Sequence, residues 1–147
     1  MSTTIVVGYD AREPAKRALE RAIEEARASN GRLLIVAVLP IPLDPYAPRS
    51  FGTLDDSPPP REPRIEPPEL RPITDEAMRR ARAAGVAADY VWAEGDPART
   101  IVDAARDSGA STIVVGSHQH GFLARLLGQD VAAAVKREAR SDVIVVE

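Results

Sequence analysis

The sequence contains no cysteine, which excludes disulfide bonds, thiolate metal sites and redox dithiols. Aromatic residues make up only 4% of the 147 residues, so we expect the core to be built from Val, Ile, Leu and Ala. No apolar stretch approaches the roughly 18 residues of a membrane-spanning helix, and the run Ile5–Val7 is too short for a signal-peptide core. These absences predict a cytoplasmic protein that does not associate with membranes.

The chain also lacks an excess of positive charge. It carries 19 Lys and Arg against 22 Asp and Glu, a formal net charge of −3. A nucleic-acid-binding domain normally has a concentrated basic face, so we expect no nucleic-acid partner. The length and the hydrophobic fraction of 44% fit one globular domain over residues 1–147.

Short β-branched runs alternate with helical patterns along the whole chain. The predicted strands are Ile5–Val7, Leu33–Val38, Ala88–Trp92, Ser111–Val115 and Asp142–Val146. This alternation predicts an α/β fold with an open five-stranded parallel sheet and helices on both faces. Periodicity does not fix the strand order. With the order 3-2-1-4-5, the first and fourth strands would end side by side at the topological switch point.

Several local signals mark the ends of the helices. Glu13-Pro14 opens the first helix, and Asn30-Gly31 closes it because both residues tolerate the left-handed conformation. Asp96-Pro97 opens the third helix with an N-cap and a proline at the first helical position. The second helix is centred near Ala77–Ala84, and the last is expected at about 131–139.

One segment, Pro40–Pro72, interrupts the alternation because it holds eleven of the thirteen prolines. This density predicts an extended, partly polyproline surface loop over about 40–72. Three interpretations remain open for it: a tolerated insertion, a lid over the crevice, or a docking segment.

Two predicted strands end in turns that suit a nucleotide pocket. Gly8-Tyr9-Asp10 follows the first strand, and Gly116-Ser117 follows the fourth. At the carboxyl ends of parallel strands, helix N-terminal N–H groups and glycines admit ligands. The Asp10 carboxylate has two interpretations: it accepts hydrogen bonds from an adenine amino group or a ribose hydroxyl, or it bonds its own backbone in a turn.

The loop after Gly116 offers no known catalytic or metal motif. His118 and His120 lack further ligands for a metal, so we interpret them as exposed loop residues or, when protonated, as phosphate contacts. Gly116 and Gly121 have Walker spacing, but no Lys-Ser/Thr pair follows, which excludes a P-loop NTPase. Arg125 either pairs with phosphate or is solvated.

The chain resembles the universal stress protein family. The resemblance rests on Val6–Asp10 with Pro14, Gly95–Pro97, Ile113–His118, Arg125–Leu127 and Asp142–Val146, and it covers the whole chain except the proline-rich loop. It implies a fold of the adenine nucleotide alpha hydrolase type, ATP binding in many members, and a homodimer joined through the last strand.

The family's phosphate motif, Gly-x2-Gly-x9-Gly-Ser/Thr, is degraded in this sequence. Gly116 matches its first glycine, but Gln119 replaces the second, and Gln129-Asp130 replaces the final pair. Gly128 replaces the final glycine only if the loop is one residue shorter. Asp130 would cap the following helix itself and repel a polyphosphate. The resulting candidate nucleotide-binding residues are Tyr9, Asp10, Val38, Val115, Gly116, Ser117, Arg125, Gln129, Asp130 and Val131.

The sequence therefore predicts a non-catalytic universal-stress-type protein of the stress response, with no metal site and weak or altered binding of ATP or another adenine nucleotide. Two alternatives remain: a competent ATP-binding switch, and a nucleotide-free dimeric interaction module. An enzyme of the related adenylating or pyrophosphatase groups is disfavoured, because the first turn lacks their Ser/Gly-rich phosphate loop.

Overall fold

Five parallel strands form one sheet with helices packed on both of its faces. The structure, a computed structural model, describes residues 3–10, 12–38, 66–93, 97–116 and 131–146. The elements, in chain order, are β1 Thr4–Tyr9, α1 Glu13–Ala28, β2 Arg32–Val38, α2 Leu70–Ala83, β3 Ala88–Ala93, α3 Pro97–Ser108, β4 Thr112–Gly116, α4 Val131–Glu138 and β5 Asp142–Val146.

The strand order is β3-β2-β1-β4-β5, which confirms the order 3-2-1-4-5 and the α/β class. Every neighbouring pair is parallel, with β1 central between β2 and β4. From β1 the chain crosses to β2 on one side, and from β4 it crosses to β5 on the other. The switch point therefore lies between β1 and β4, as expected.

The core has two layers because the strands alternate their side chains between the two faces. Ile5, Val7 and Tyr9 of β1 pack with α1 and α2 in one layer. Val6, between them in the sequence, packs with α3 and the buried Val135 of α4 in the other. Aliphatic residues dominate both layers, as the scarcity of aromatics predicts.

Three helices end in the same type of turn before the next strand. At the end of α1, Gly31 N–H donates to Ala26 C=O at 2.8 Å and Asn30 N–H donates to Arg27 C=O at 3.3 Å, the pattern of a Schellman motif. Turns centred on Gly85 and Gly109 repeat this geometry after α2 and α3, and both glycines have positive φ. Each turn returns the chain directly to the sheet.

The roles of Asn30 and Gly31 differ from the prediction. Only Asn30 is left-handed, with a φ of 51°. Gly31 is required for a different reason, because a Cβ atom there would lie 2.5 Å from the backbone oxygen of Thr3. The close approach of the Thr3 backbone, rather than the backbone conformation of Gly31 itself, excludes a side chain at this position.

The predicted end of the proline-rich loop is wrong by three residues. Helix α2 begins at Leu70, so residues 70–72 are helical and Pro72 lies in the first helical turn. The first-turn N–H groups have no intrahelical partner, so proline is tolerated there. Residues 39–65 of the predicted loop lie outside the described residues.

Within the described part of the chain, no helix is both long and apolar enough to cross a bilayer.

Candidate functional site

The sheet opens between β1 and β4 at its carboxyl edge. The β1–β4 ladder ends at Val7↔Val114. Beyond that pair, β1 continues along β2 as far as Tyr9↔Ala37, and β4 continues along β5 as far as Gly116↔Val146. The two central strands thus share no further pair beyond this point. The gap between their ends, here called the crevice, lies at the switch point, where open α/β sheets bind ligands.

Gly116 lies at the β4 side of this crevice, directly under the first turn of α1. A Cβ atom at Gly116 would lie 2.7 Å from the carbonyl carbon of Pro14 and 2.8 Å from its oxygen. Gly116 itself is buried. The absence of a side chain therefore lets the backbone of α1 rest on the end of β4.

Asp10 forms the β1 side of the crevice and is partly exposed. Its Oδ1 atom accepts a hydrogen bond from the backbone N–H of Arg12 at 3.0 Å. Arg12 is the N-cap residue of α1 and supplies no side-chain cap of its own. The turn interpretation of Asp10 is therefore realised, and one carboxylate oxygen has no hydrogen-bond partner among the described residues.

Tyr9 precedes Asp10, but its side chain lies in the core. It is 1% exposed, and its hydroxyl has no hydrogen-bond partner within the described structure. Burial raises the pKa of this phenol above its ordinary value of 10.0, and Glu76 and Asp10 raise it further against an opposing effect of Arg80. The structure thus places this candidate ligand contact under α1 and α2.

The remaining candidates divide into those the structure places and those it does not. Val115 is buried on the α3 face beside Ile101, so it shapes the wall of the crevice from within the core. The backbone of Val38 ends β2, and that of Val131 begins α4. Ser117, His118, His120, Arg125, Gln129 and Asp130 lie outside the described residues.

Two residues that shape the crevice were missed in the sequence. Pro14 is a predicted helix start and part of the family resemblance, but its backbone also covers Gly116. Ile101 is not a predicted site residue, but its Cδ1 atom would lie 2.9 Å from a Cβ atom at Gly8. Their spacing along the chain carries no signal of either contact. Among the described residues, no group of three or more His, Asp or Glu side chains is arranged to hold a metal ion.

The sheet order and the helices on both faces define an open α/β fold with a switch point, and comparison with known proteins identifies its family. The model of the universal stress protein family matches residues 1–147, so the chain belongs to that family. A curated relative, universal stress protein YxiE of Bacillus subtilis (strain 168), is 32% identical over 74 residues. That alignment spans half of this chain and half of the relative's length.

Solved structures of universal stress proteins have the same fold. One, determined in complex with cAMP, is 28% identical with a TM-score of 0.68, and the match covers 99% of this chain and 96% of that chain. Another, from Archaeoglobus fulgidus in complex with dAMP, is 21% identical with a TM-score of 0.62 and covers 100% of this chain and 98% of that one. At this lower identity the second structure supports the fold alone.

The contact between Gly116 and Pro14 predicts that Gly116→Ala is destabilising. The added methyl group overlaps backbone atoms, so α1 or β4 must shift, and we expect a loss of about 1–3 kcal/mol in the free energy of unfolding. Urea denaturation measures this loss. The matched control is Gly8→Ala, whose Cβ atom would meet side-chain atoms of Ile101 and Val115 rather than backbone atoms, so it should cost less than Gly116→Ala. Equal losses at the two glycines would contradict the assignment.

The unpartnered hydroxyl predicts that Tyr9→Phe is neutral or stabilising, by about 1 kcal/mol, because a buried donor without a partner costs free energy in the folded state. The control is Tyr90→Phe. The Tyr90 hydroxyl donates to Glu66 Oε1 at 2.9 Å, so its removal should destabilise by about 1 kcal/mol. Thermal denaturation of both variants measures these changes in stability. A clear loss of stability in Tyr9→Phe would reveal a hydrogen bond to the Tyr9 hydroxyl.

The raised pKa of Tyr9 also gives the direction of its effect at high pH. The unfolded phenol loses its proton near pH 10.0 and the folded one only above it, so the folded state binds more protons in that interval. The free energy of unfolding should therefore fall as the pH rises above about 10, and Tyr9→Phe should reduce this slope.

Proposed function

We propose that this chain acts in the stress response as a non-catalytic cytoplasmic homodimer that binds an adenine nucleotide weakly between β1 and β4. The observation that carries the proposal is the opening of the sheet beyond Val7↔Val114, which forms a crevice at the switch point. Support also comes from the family relative that is 28% identical and was solved in complex with cAMP.

Asp10 is the group that we assign to the base or ribose. The Arg12 N–H holds one carboxylate oxygen, and this bond fixes the orientation of the carboxylate at the end of β1. The second oxygen can accept a hydrogen bond from a ribose hydroxyl or an adenine amino group. A carboxylate already held by a backbone bond requires little further ordering on binding, which favours this role. The adjacent end of β2 at Val38 would contact the base.

The proposed weak binding of ATP is attributed to the residues at the phosphate positions of the family motif. Asp130 stands immediately before Val131, where α4 begins, in the position of an N-cap residue. A carboxylate there would satisfy the first N–H groups of the helix and repel phosphate oxygens. Gln119 and Gln129 replace the two glycines that give phosphates close access to the backbone. Nucleotides with fewer phosphates should therefore lose less affinity than ATP.

The double change Gln129→Gly with Asp130→Ser should strengthen ATP binding, because it removes the competing carboxylate and restores backbone access. We expect a gain of about 1–3 kcal/mol, or about 5- to 150-fold in affinity. Calorimetry with ATP and with AMP measures the effect, and the gain should be larger for ATP. Tight ATP binding by the wild type would instead support the competent ATP-binding switch, with Gly128 acting as the phosphate glycine.

Asp10 provides the control for the other half of the site. Asp10→Asn keeps an oxygen for the Arg12 N–H but removes the charge, whereas Asp10→Ala also removes the turn bond. If Asp10 binds the ribose or the base, then Asp10→Asn and Asp10→Ala, each added to the double mutant, should reduce the affinities for AMP and for ATP by the same factor. Unchanged affinity in Asp10→Asn would contradict the assigned role.

The alternative function is a nucleotide-free dimeric interaction module. One observation favours it: Asp10 already has a structural partner in the Arg12 N–H, so its presence does not require a ligand. Mass spectrometry of the native purified protein separates the two functions. Co-purified adenine nucleotide supports the proposal. Nucleotide-free protein that also fails to bind AMP in calorimetry supports the alternative.

The position of β5 predicts a dimer. This strand is at one edge of the sheet, pairs only with β4 among the described residues, and keeps Val143–Val146 partly exposed. An apolar edge strand exposes unpaired backbone groups, and pairing with a symmetry-related copy would cover them. Light scattering should therefore report a dimer at tens of micromolar, on the order of ordinary oligomer affinities. Val145→Lys should shift the protein toward the monomer, whereas the control Arg17→Lys, at an exposed position of α1, should not.

A further inference from the structure

The sheet has a second edge, at β3, where a row of backbone groups faces outward. The N–H of Leu33 on β2 donates to the C=O of Ala87 at 2.9 Å, and Leu33 pairs in register with Ala88. In a parallel ladder this pattern turns alternate residues toward the neighbouring strand. The N–H and C=O groups of Ala88, Tyr90 and Trp92 therefore point away from β2, and no described strand pairs with them.

A groove runs beside this edge on the α2 face of the sheet. Six residues line it: Asp75, Met78, Arg79, Arg82, Ala83 and Tyr90. Tyr90 is held in place by the hydrogen bond from its hydroxyl to Glu66. The groove thus has an apolar floor of fixed geometry next to unpaired backbone groups.

The arginines of α2 differ in whether they form ion pairs with described residues. Arg79 and Arg82 are exposed and have no ion pair with any described residue. Arg80, on the same helix, is by contrast paired with Glu76 at 3.3 Å and with Glu20 at 3.6 Å. Asp75 lies one helical turn before Arg79, and both Asp75 and Glu66 act on the Tyr90 hydroxyl. The groove thus has two acidic groups near the Tyr90 hydroxyl, and Arg79 and Arg82 are its cationic groups.

The opposite face of the edge has a different character. Side chains alternate along β3, so Asp89 and Val91 point to the α3 face. Val91 is 39% exposed, the largest exposure of a large hydrophobic residue in the described structure. A strand added beside β3 would therefore place alternate side chains next to Arg79 and Arg82 on one face, and next to Val91 on the other.

We propose that the β3 edge binds an extended segment of a partner protein as an added strand, and that this segment alternates acidic and apolar residues. The outward groups of β3 supply the backbone hydrogen bonds, as in other cases of strand addition to a sheet edge. The two unpaired arginines select carboxylates on the α2 face. Val91 selects apolar side chains on the α3 face, where Asp89 disfavours further acidic residues. This interaction is independent of the nucleotide crevice.

A direct test uses the blocked peptide Val-Asp-Val-Asp-Val-Asp-Val and a matched peptide with Lys in place of Asp. Trp92 is the chain's single tryptophan and lies on the edge, so its fluorescence should report binding. We expect saturable binding of the acidic peptide, with the lysine peptide weaker by at least about tenfold. Amide exchange followed by NMR should show new protection at Ala88, Tyr90 and Trp92 when the acidic peptide binds.

The variant Arg79→Glu with Arg82→Glu should weaken the acidic peptide by at least about tenfold. Its matched control is Arg17→Glu with Arg27→Glu on α1, which makes the same change in net charge. In both double variants one of the two arginines lies in the last turn of its helix, Arg82 in α2 and Arg27 in α1. Equal binding of both peptides, equal effects of the two double variants, or no binding overturns the proposal. Protection of the three amides in the free protein also overturns it, since the edge would then be occupied by this chain or a second copy.

Discussion

The contact between the first turn of α1 and the end of β4 is the constraint on which the described architecture depends most. Pro14 backbone atoms occupy the space of a side chain at Gly116, so α1 packs across β1 and onto β4. This position of α1 buries one face of both central strands. A helix displaced by the width of a methyl group would lose van der Waals contact along its whole apolar face.

The direction of the chain after β1 and after β4 explains why the crevice exists. Helix α1 follows β1 across one face, while β4 leads toward the opposite face, so the two strands cannot remain paired to their ends. The ladder stops at Val7↔Val114, and the partly exposed Asp10 follows the end of β1 beyond this pair. The crevice is thus a consequence of chain direction. Ligand binding at it requires only that the residues at the ends of β1 and β4 supply suitable groups.

The sequence predicted the elements and the order of the fold well, because hydrophobic periodicity and caps are local signals. All five strands occur within two residues of their predicted bounds, and α1, α3 and the last helix begin where they were predicted to begin. The second helix begins earlier than predicted, because Pro72 was taken as part of the loop. The contacts of the candidate site were less predictable. The reason for glycine at positions 31 and 116 is an approach of distant backbone, and the burial of Tyr9 depends on α2, which is distant in sequence.

The glycine at position 116 of the family's phosphate motif could be required for two reasons: the packing of α1 on β4, or the access of phosphate to the backbone. This glycine is required by the packing of α1 on β4, whether or not a phosphate is present. The later positions of the motif, Gln119, Gln129 and Asp130, lie outside the described residues, and their side chains are the basis of the proposed weak phosphate binding. Retention of Gly116 is therefore no evidence for phosphate binding. Since the fold preserves this glycine by itself, the phosphate-binding capacity of the chain must be judged from the other three positions and from Asp10.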